Sequence, residues 1–537
     1  MLNQYLPDTI LQHDLKEFMT DWGFLLNQLT PEEITPLPAN LELLSKLHHA
    51  LSIDRYSKVG FRQTLLGYAP YEEIRTFANN LGIELPREDT PSFRNKLASF
   101  TWGHNEKTKE FVKSFEYSDY LIPNQIEKQT TKNTIFKSEN PYKPFKDYQF
   151  DIFVEASERV EYANKKFLIQ MPTGSGKTKV ATEIIASFLN QKNGRQVVWL
   201  SDRKELCEQA MDAFENTWAH LGLHDLVTYR LWGEDTNIPT KIEEDSFIVA
   251  MYQKIRNPLK NGTLNLSADL IVADEAHNSL AKTYLETIDK LSDLWKKQTR
   301  VIGLTATPGR QSNNDAENQK LASAFNGELV GSDITIKLLQ QKGILARCIR
   351  KPLETNLEYK LTEKEWDDIS KSFSRDYPDG LLERIAKDNI RNTVIIKRML
   401  ELAKECKHIL VFGASKHQSK LLCGIMIAMG HRAAHIDGET PANYRKDTVM
   451  KFKDDEIQFV FNYGVFTAGF DAPNIDAVVI ARPTTSIVLY AQMIGRGMRG
   501  PSLGGTKEFQ LVDVVDNIVT EQSGLDNVYE FFAEYWE

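Results

Sequence analysis

The sequence predicts an α/β protein: two parallel-sheet domains in tandem, preceded by a mostly helical N-terminal domain. Three observations predict it. At 537 residues the chain is too long for one hydrophobic core, because cores stop growing and chains divide into domains well below that length. From 195 to 350, and again beyond 408, short apolar runs alternate with helical segments, the pattern of parallel sheets with crossover helices. Before residue 120 there is no strand alternation, only apolar residues at helical spacing.

Composition sets outer limits. Apolar content of 41% and charged content of 26% are those of an ordinary globular protein. There is no run of about eighteen apolar residues and no basic stretch leading into an apolar one at the N-terminus, so no membrane span or secretory signal is expected, and the cytoplasm is the expected compartment. Cys207, Cys348, Cys406 and Cys423 form no CxxC pair and read as small buried hydrophobes rather than metal ligands. A net charge of −9 argues against a wholly basic nucleic-acid binder but leaves room for one local basic groove.

Residues 1–120 form the helical N-terminal domain. Leu15, Phe18, Met19 and Trp22 share one helical face, as do Leu41, Leu44, Leu47 and Leu51. A further pair of helices is expected from Tyr71 and from Thr90-Pro91, the first ending at Gly82. That pair resembles the small helical modules of SAP type that some DNA-binding proteins carry, although helix-cap chemistry alone accounts for it, as in a helical adaptor. Residues 121–144, polar and ending Pro141-Tyr-Lys-Pro144, read as a linker.

Residues 145–345 are the first sheet domain. Phe167-Leu-Ile169 is a strand, Thr173-Gly-Ser-Gly-Lys-Thr178 a glycine-rich turn, and Val180 onward a helix. Such a loop offers backbone N–H groups and a positive helix end to a phosphate. Gly174 and Gly176 allow close approach, Lys177 reaches β/γ-phosphates, and the Thr178 hydroxyl suits Mg²⁺. Met171 stands where the strict pattern has glycine. Strands are also expected at Val197–Leu200, Phe247–Met251, Leu270–Ala273 and Val301–Thr305, each closed by polar residues, where ligands gather in parallel sheets. Asp274-Glu275-Ala-His277 closes the third of these. Its first carboxylate can hold Mg²⁺ through the metal's water shell, and its second can orient and deprotonate an attacking water. Thr305-Ala-Thr307-Pro closes the fourth.

Residues 346–520 are the second sheet domain, with strands expected at His408–Gly413, His435–Gly438, Phe459–Asn462 and Val478–Arg482. Residues 355–390 are charged and helical, with a turn at Tyr377-Pro-Asp-Gly380. The acidic residues there are too tightly spaced for a nuclease pair. Gln492-Met-Ile-Gly-Arg496-Gly-Met-Arg499 places its arginines three apart and so on one helical face. Residues 521–537 read as an aromatic, acidic helical tail.

Phosphate loop, Asp-Glu-Ala-His and Thr-Ala-Thr occur in this order and spacing in superfamily 2 DEAH-box helicases, and the chain resembles them from about 145 to 520. Leu338-Leu-Gln-Gln-Lys-Gly-Ile-Leu-Ala346 is similar to the restriction-enzyme-like branch, the type III restriction subunits in particular. The resemblance implies two RecA-like lobes with ATP between them, and ATP and Mg²⁺ as cofactors. It implies catalytic roles for Lys177, Asp274, Glu275, His277, Gln492, Arg496 and Arg499, the arginines stabilising charge on the transferring phosphoryl group. Gln149, in Phe145-Lys-Asp-Tyr-Gln149, would read adenine. Thr173, Gly174, Ser175, Gly176, Lys177, Thr178, Gly469 and Asp471 would bind nucleotide, with Thr178 and Asp274 at the metal. Arg203, Gln253, Thr305, Thr307 and Thr467 would contact nucleic acid, DNA rather than RNA. The implied activity is ATP-driven movement on DNA or its unwinding, in repair, restriction or anti-phage defence. A nucleotide-gated clamp that recruits a nuclease, with a protein partner on the N-terminal helices, stays open as an alternative, as does an RNA helicase.

Overall fold

The structure is a computed structural model. It describes residues 2–27, 41–123, 132–135, 137, 141–162, 165–233, 238–276, 282–293, 299–306, 315–371, 376–465 and 474–519. His277, Thr307, Thr467, Gly469, Asp471 and the tail 521–537 lie outside the described residues. The chain divides into two compact units. Of the described residues, one comprises 132–347 and Thr485–Lys507, and the other 2–123, Cys348–Thr484 and 508–519. Among the described residues no helix is long and apolar enough to cross a membrane.

The first of these units is built on an eight-stranded sheet. Its strands are β1 (Lys132–Thr134), β2 (Lys166–Gln170), β3 (Gln196–Ser201), β4 (Val227–Leu231), β5 (Ser246–Met251), β6 (Leu270–Ala273), β7 (Arg300–Thr305) and β8 (Leu329–Val330), in the order β1-β4-β5-β3-β6-β7-β2-β8. All its pairings are parallel except that of β1, which runs antiparallel to β4. Every residue of β3 and β6 is buried, as expected where helices cover both faces of a sheet. The expected linker thus contributes an edge strand. The order also explains how the site assembles. β2, which precedes the phosphate loop, and β6, which precedes Asp274, are separated only by β7, so all three strand ends open on the same edge of the sheet.

The second unit has a seven-stranded sheet. β10 (Leu353–Lys360), β15 (Glu508–Val519), β14 (Ala477–Ile480), β11 (Ile409–Phe412), β13 (Phe459–Asn462) and β12 (Ala433–Ile436) follow in that order, and β9 (Arg347–Arg350) also pairs with β15. The N-terminal helices share one core with this sheet: Trp22, Leu47 and Leu51 belong to the same buried cluster as Met399, Leu422, Ile425 and Val479. A Cβ at Gly424 would stand 2.9 Å from the Trp22 ring, so glycine is what lets the two helices approach. Polar contacts ring that junction. Phe18 stacks on His417 with centroids 5.1 Å apart, and Lys420 donates to the Leu51 carbonyl at 3.2 Å. The expected helix ends near Gly82 and Thr90 are present: Gly82 has φ +65°, and the Thr90 hydroxyl accepts the Phe93 N–H. Of the expected turn at Tyr377–Gly380, Pro378 is an extended N-cap and Asp379 and Gly380 open the helix Asp379–Ala386. All four cysteines are buried.

Arg391 ties this unit together. Its side chain and that of Asp516 are fully buried and paired at 2.9 Å, and its guanidinium also donates to the Ala481 carbonyl at 2.7 Å. Removing one partner of such a pair leaves a buried charge unanswered, which costs about 3–5 kcal/mol. Arg391→Ala is therefore expected to lower the urea midpoint sharply. An unchanged midpoint would show that the pair contributes nothing.

Candidate active site

The strand β2 breaks at Pro172 and the chain turns back on itself. The Ser175 N–H and hydroxyl both donate to the Pro172 carbonyl, at 3.1 and 2.7 Å, closing the loop. Gly176 then caps the helix Lys177–Asn190 with φ +92°, a conformation that glycine adopts without strain. A Cβ there would also collide with the Gln149 amide. The first N–H groups of this helix have no intrahelical acceptor, so they form a cradle suited to an anion. Neighbouring strands hold the loop in place: the Met171 N–H donates to the Thr305 carbonyl at 3.1 Å, across the β2–β7 pairing.

At the end of β6 the backbone turns sharply. Glu275 has φ +48°, a strained conformation for a side chain of its size, and its N–H donates to Asp274 Oδ1 at 3.0 Å. Lys177 Nζ lies 3.8 Å from Glu275 Oε1. Asp274 is buried. Burial raises its carboxyl pKa, Lys177 pulls it back down, and Glu275 pushes it further up. Asp202, at the end of β3, is raised by burial as well, with the charge of Glu275 adding to the effect.

Arg496 reaches the same cluster by a route that the sequence did not suggest. The helix Ile487–Ile494 stops where Gly495 caps it, so Arg496 lies in the following turn and Arg499 in an antiparallel bridge to Leu345, not on one helical face. Backbone bonds from Ala346 N–H to the Met498 carbonyl (2.8 Å) and from Gly500 N–H to the Ile344 carbonyl (2.9 Å) hold this segment in the unit of the phosphate loop. Gly495 lies against Thr173, where a Cβ would overlap the threonine side chain. Burial lowers the Arg496 pKa to about 10, and the charge of Glu275 opposes that shift. Burial also lowers Arg499. Gln492 is half-buried on the same helix.

The remaining expected residues are spread around this centre. Gln149 is only 5% exposed, and its amide is used at both ends: Oε1 accepts the Lys146 N–H and Nε2 donates to the Ser175 carbonyl, both at 3.0 Å. Arg203 caps the helix Lys204–Leu221, and Gln253 is exposed, donating to the Asp202 carbonyl at 3.4 Å. Thr305 is fully buried within the sheet edge. Tyr148 and Asp202, beside Gln149 and Arg203 in sequence, join the site only through the fold.

The chain matches two family models, "Type III restriction enzyme, res subunit" over residues 142–310 and "Helicase conserved C-terminal domain" over residues 392–500. The chain belongs to the restriction-enzyme-like branch of the superfamily 2 helicases. This superfamily 2 chain is 28% identical to a putative ATP-dependent helicase, IRC3, of Saccharomyces cerevisiae over 66% of its own length. It spans about half of that relative, 49%. It is also 26% identical to a 51.5 kDa protein of a Lactococcus phage, over 69% of this chain and 70% of that one. The ATP-dependent Type ISP restriction-modification enzyme LlaBIII, solved bound to DNA, shares its fold at a TM-score of 0.50 and 16% identity, covering 87% of this chain and 34% of that one.

Proposed function

We propose that this superfamily 2 chain is a nucleic-acid-dependent ATPase that couples hydrolysis to movement on DNA, as a translocase or helicase. The observation that carries this reading is the convergence of Lys177, Asp274, Glu275 and Arg496 around one phosphate-sized loop. A cradle of N–H groups with a lysine beside it suits a triphosphate. A buried carboxylate side chain beside a lysine, at a strand end next to the loop, suits a metal, so the donor set fits ATP with Mg²⁺. Thr178 and Asp274 would hold the ion, whose charge, when bound, offsets that of the β- and γ-phosphates. Lys177 binds those phosphates, Glu275 takes a proton from the attacking water, and Arg496 and Arg499 neutralise charge on the transferring group.

DNA is the preferred track because the matched family model is that of a restriction subunit and a protein sharing the fold was solved on DNA. A role in restriction, anti-phage defence or repair follows from that choice. ATPase rates measured with no nucleic acid, single-stranded DNA, duplex DNA and single-stranded RNA test it. DNA is expected to stimulate turnover most, and the stimulation should fall steeply between about 50 and 200 mM salt, as phosphate contacts require. Stronger stimulation by RNA would overturn the choice of track. ATPase activity indifferent to every nucleic acid would overturn the motor.

A further inference from the structure

The Ser175 carbonyl accepts two hydrogen bonds from one helix, Asp147–Glu161: the Tyr148 hydroxyl at 2.5 Å and the Gln149 amide at 3.0 Å. In a planar trans peptide the carbonyl of one residue and the N–H of the next point in opposite directions. Fixing the Ser175 carbonyl toward that helix therefore aims the Gly176 N–H the other way, into the anion cradle. The two donors are not equivalent. An amide turned toward a nucleotide base can no longer hold the loop. Tyr148 is 1% exposed with its ring locked in the core, and burial pushes its hydroxyl pKa up to about 12, so it remains a donor throughout the neutral range.

We propose that Tyr148 is a positioning residue for phosphate binding, holding the loop through the Ser175 carbonyl whether or not Gln149 is engaged with a base. The proposal rests on the nucleotide-site reading above and assigns a phosphate-directed role to a residue outside the loop itself. It separates two functions on adjacent residues: Tyr148 governs phosphate affinity, and Gln149 governs base choice.

Tyr148→Phe removes the hydroxyl and keeps the ring, so the core is preserved. Losing one hydrogen bond of this kind is expected to raise the KM for ATP about fivefold with kcat unchanged. The inhibition constant of inorganic tripolyphosphate, a probe with no base, should rise by the same factor, while the preference for ATP over GTP stays at the wild-type value. Gln149→Ala should instead lower that preference. Three results would overturn the inference: an unchanged KM and tripolyphosphate constant, a changed ATP-to-GTP preference in Tyr148→Phe, or a kcat that falls together with the affinities. Failure of the nucleotide-site reading would look different, since the wild-type protein itself would then bind neither ATP nor tripolyphosphate.

Discussion

Lys177→Ala is expected to reduce ATP hydrolysis by about a thousandfold, the scale of losing a preorganised cation aimed at developing charge. Lys177 opens the helix that follows the loop, and its ammonium lies 3.8 Å from Glu275 Oε1. Its side chain is 15% exposed and that of Glu275 17%, so water partly screens the pair. At 3.8 Å the two groups are beyond hydrogen-bond distance, so the contact adds little to stability. The variant should therefore melt close to the wild-type temperature while losing activity. Nucleotide binding should weaken as well, because the lysine contacts phosphates in the ground state and in the transition state alike. Steady-state turnover, a nucleotide titration and a melting curve on the same preparation check all three. Wild-type turnover in a folded Lys177→Ala protein would remove the lysine from the mechanism.

Local chemistry made the sheet and its strand-end motifs legible. Val197–Leu200, Phe247–Met251 and Leu270–Ala273 are continuous apolar runs because both faces of those strands are buried, and each run ends where a ligand-facing loop begins. What stayed hidden was set by contacts distant in sequence. β1 is only three residues long, all exposed, and has no apolar signal; its pairing with β4 is the whole of its existence as a strand. The N-terminal helices showed amphipathic faces but not what those faces would cover, and their partner, the helix Lys416–Ala428, lies hundreds of residues away. Arg496 and Arg499 have helical spacing, yet Gly495 ends the helix and the pairing of Arg499 with Leu345 turns the second arginine into a bridge residue. Tyr148 and the strained backbone of Glu275 had no sequence signature at all. A tyrosine before a glutamine and a glutamate after an aspartate become informative only once a hydrogen bond and a dihedral angle are known.

Glu275→Gln is expected to separate binding from chemistry. Glutamine keeps the size of the side chain and the backbone N–H that donates to Asp274 Oδ1, so the turn at φ +48° should survive. It cannot accept a proton from water. Removing a general base costs about 10²- to 10⁴-fold in rate, and single-turnover hydrolysis should fall by that amount. ATP affinity should hold or rise, because a negative charge near the phosphates is removed and Lys177 loses a competing partner. A binding titration beside the single-turnover rate measures both, and a folded variant with lost affinity would show that Glu275 holds the nucleotide rather than the water. The contrast with Lys177→Ala gives the pair its force. If Lys177 and Glu275 formed only a structural ion pair, the two variants would fail alike, by a shared loss of stability. If they divide binding and proton transfer, one loses affinity and turnover while the other keeps affinity and loses turnover alone.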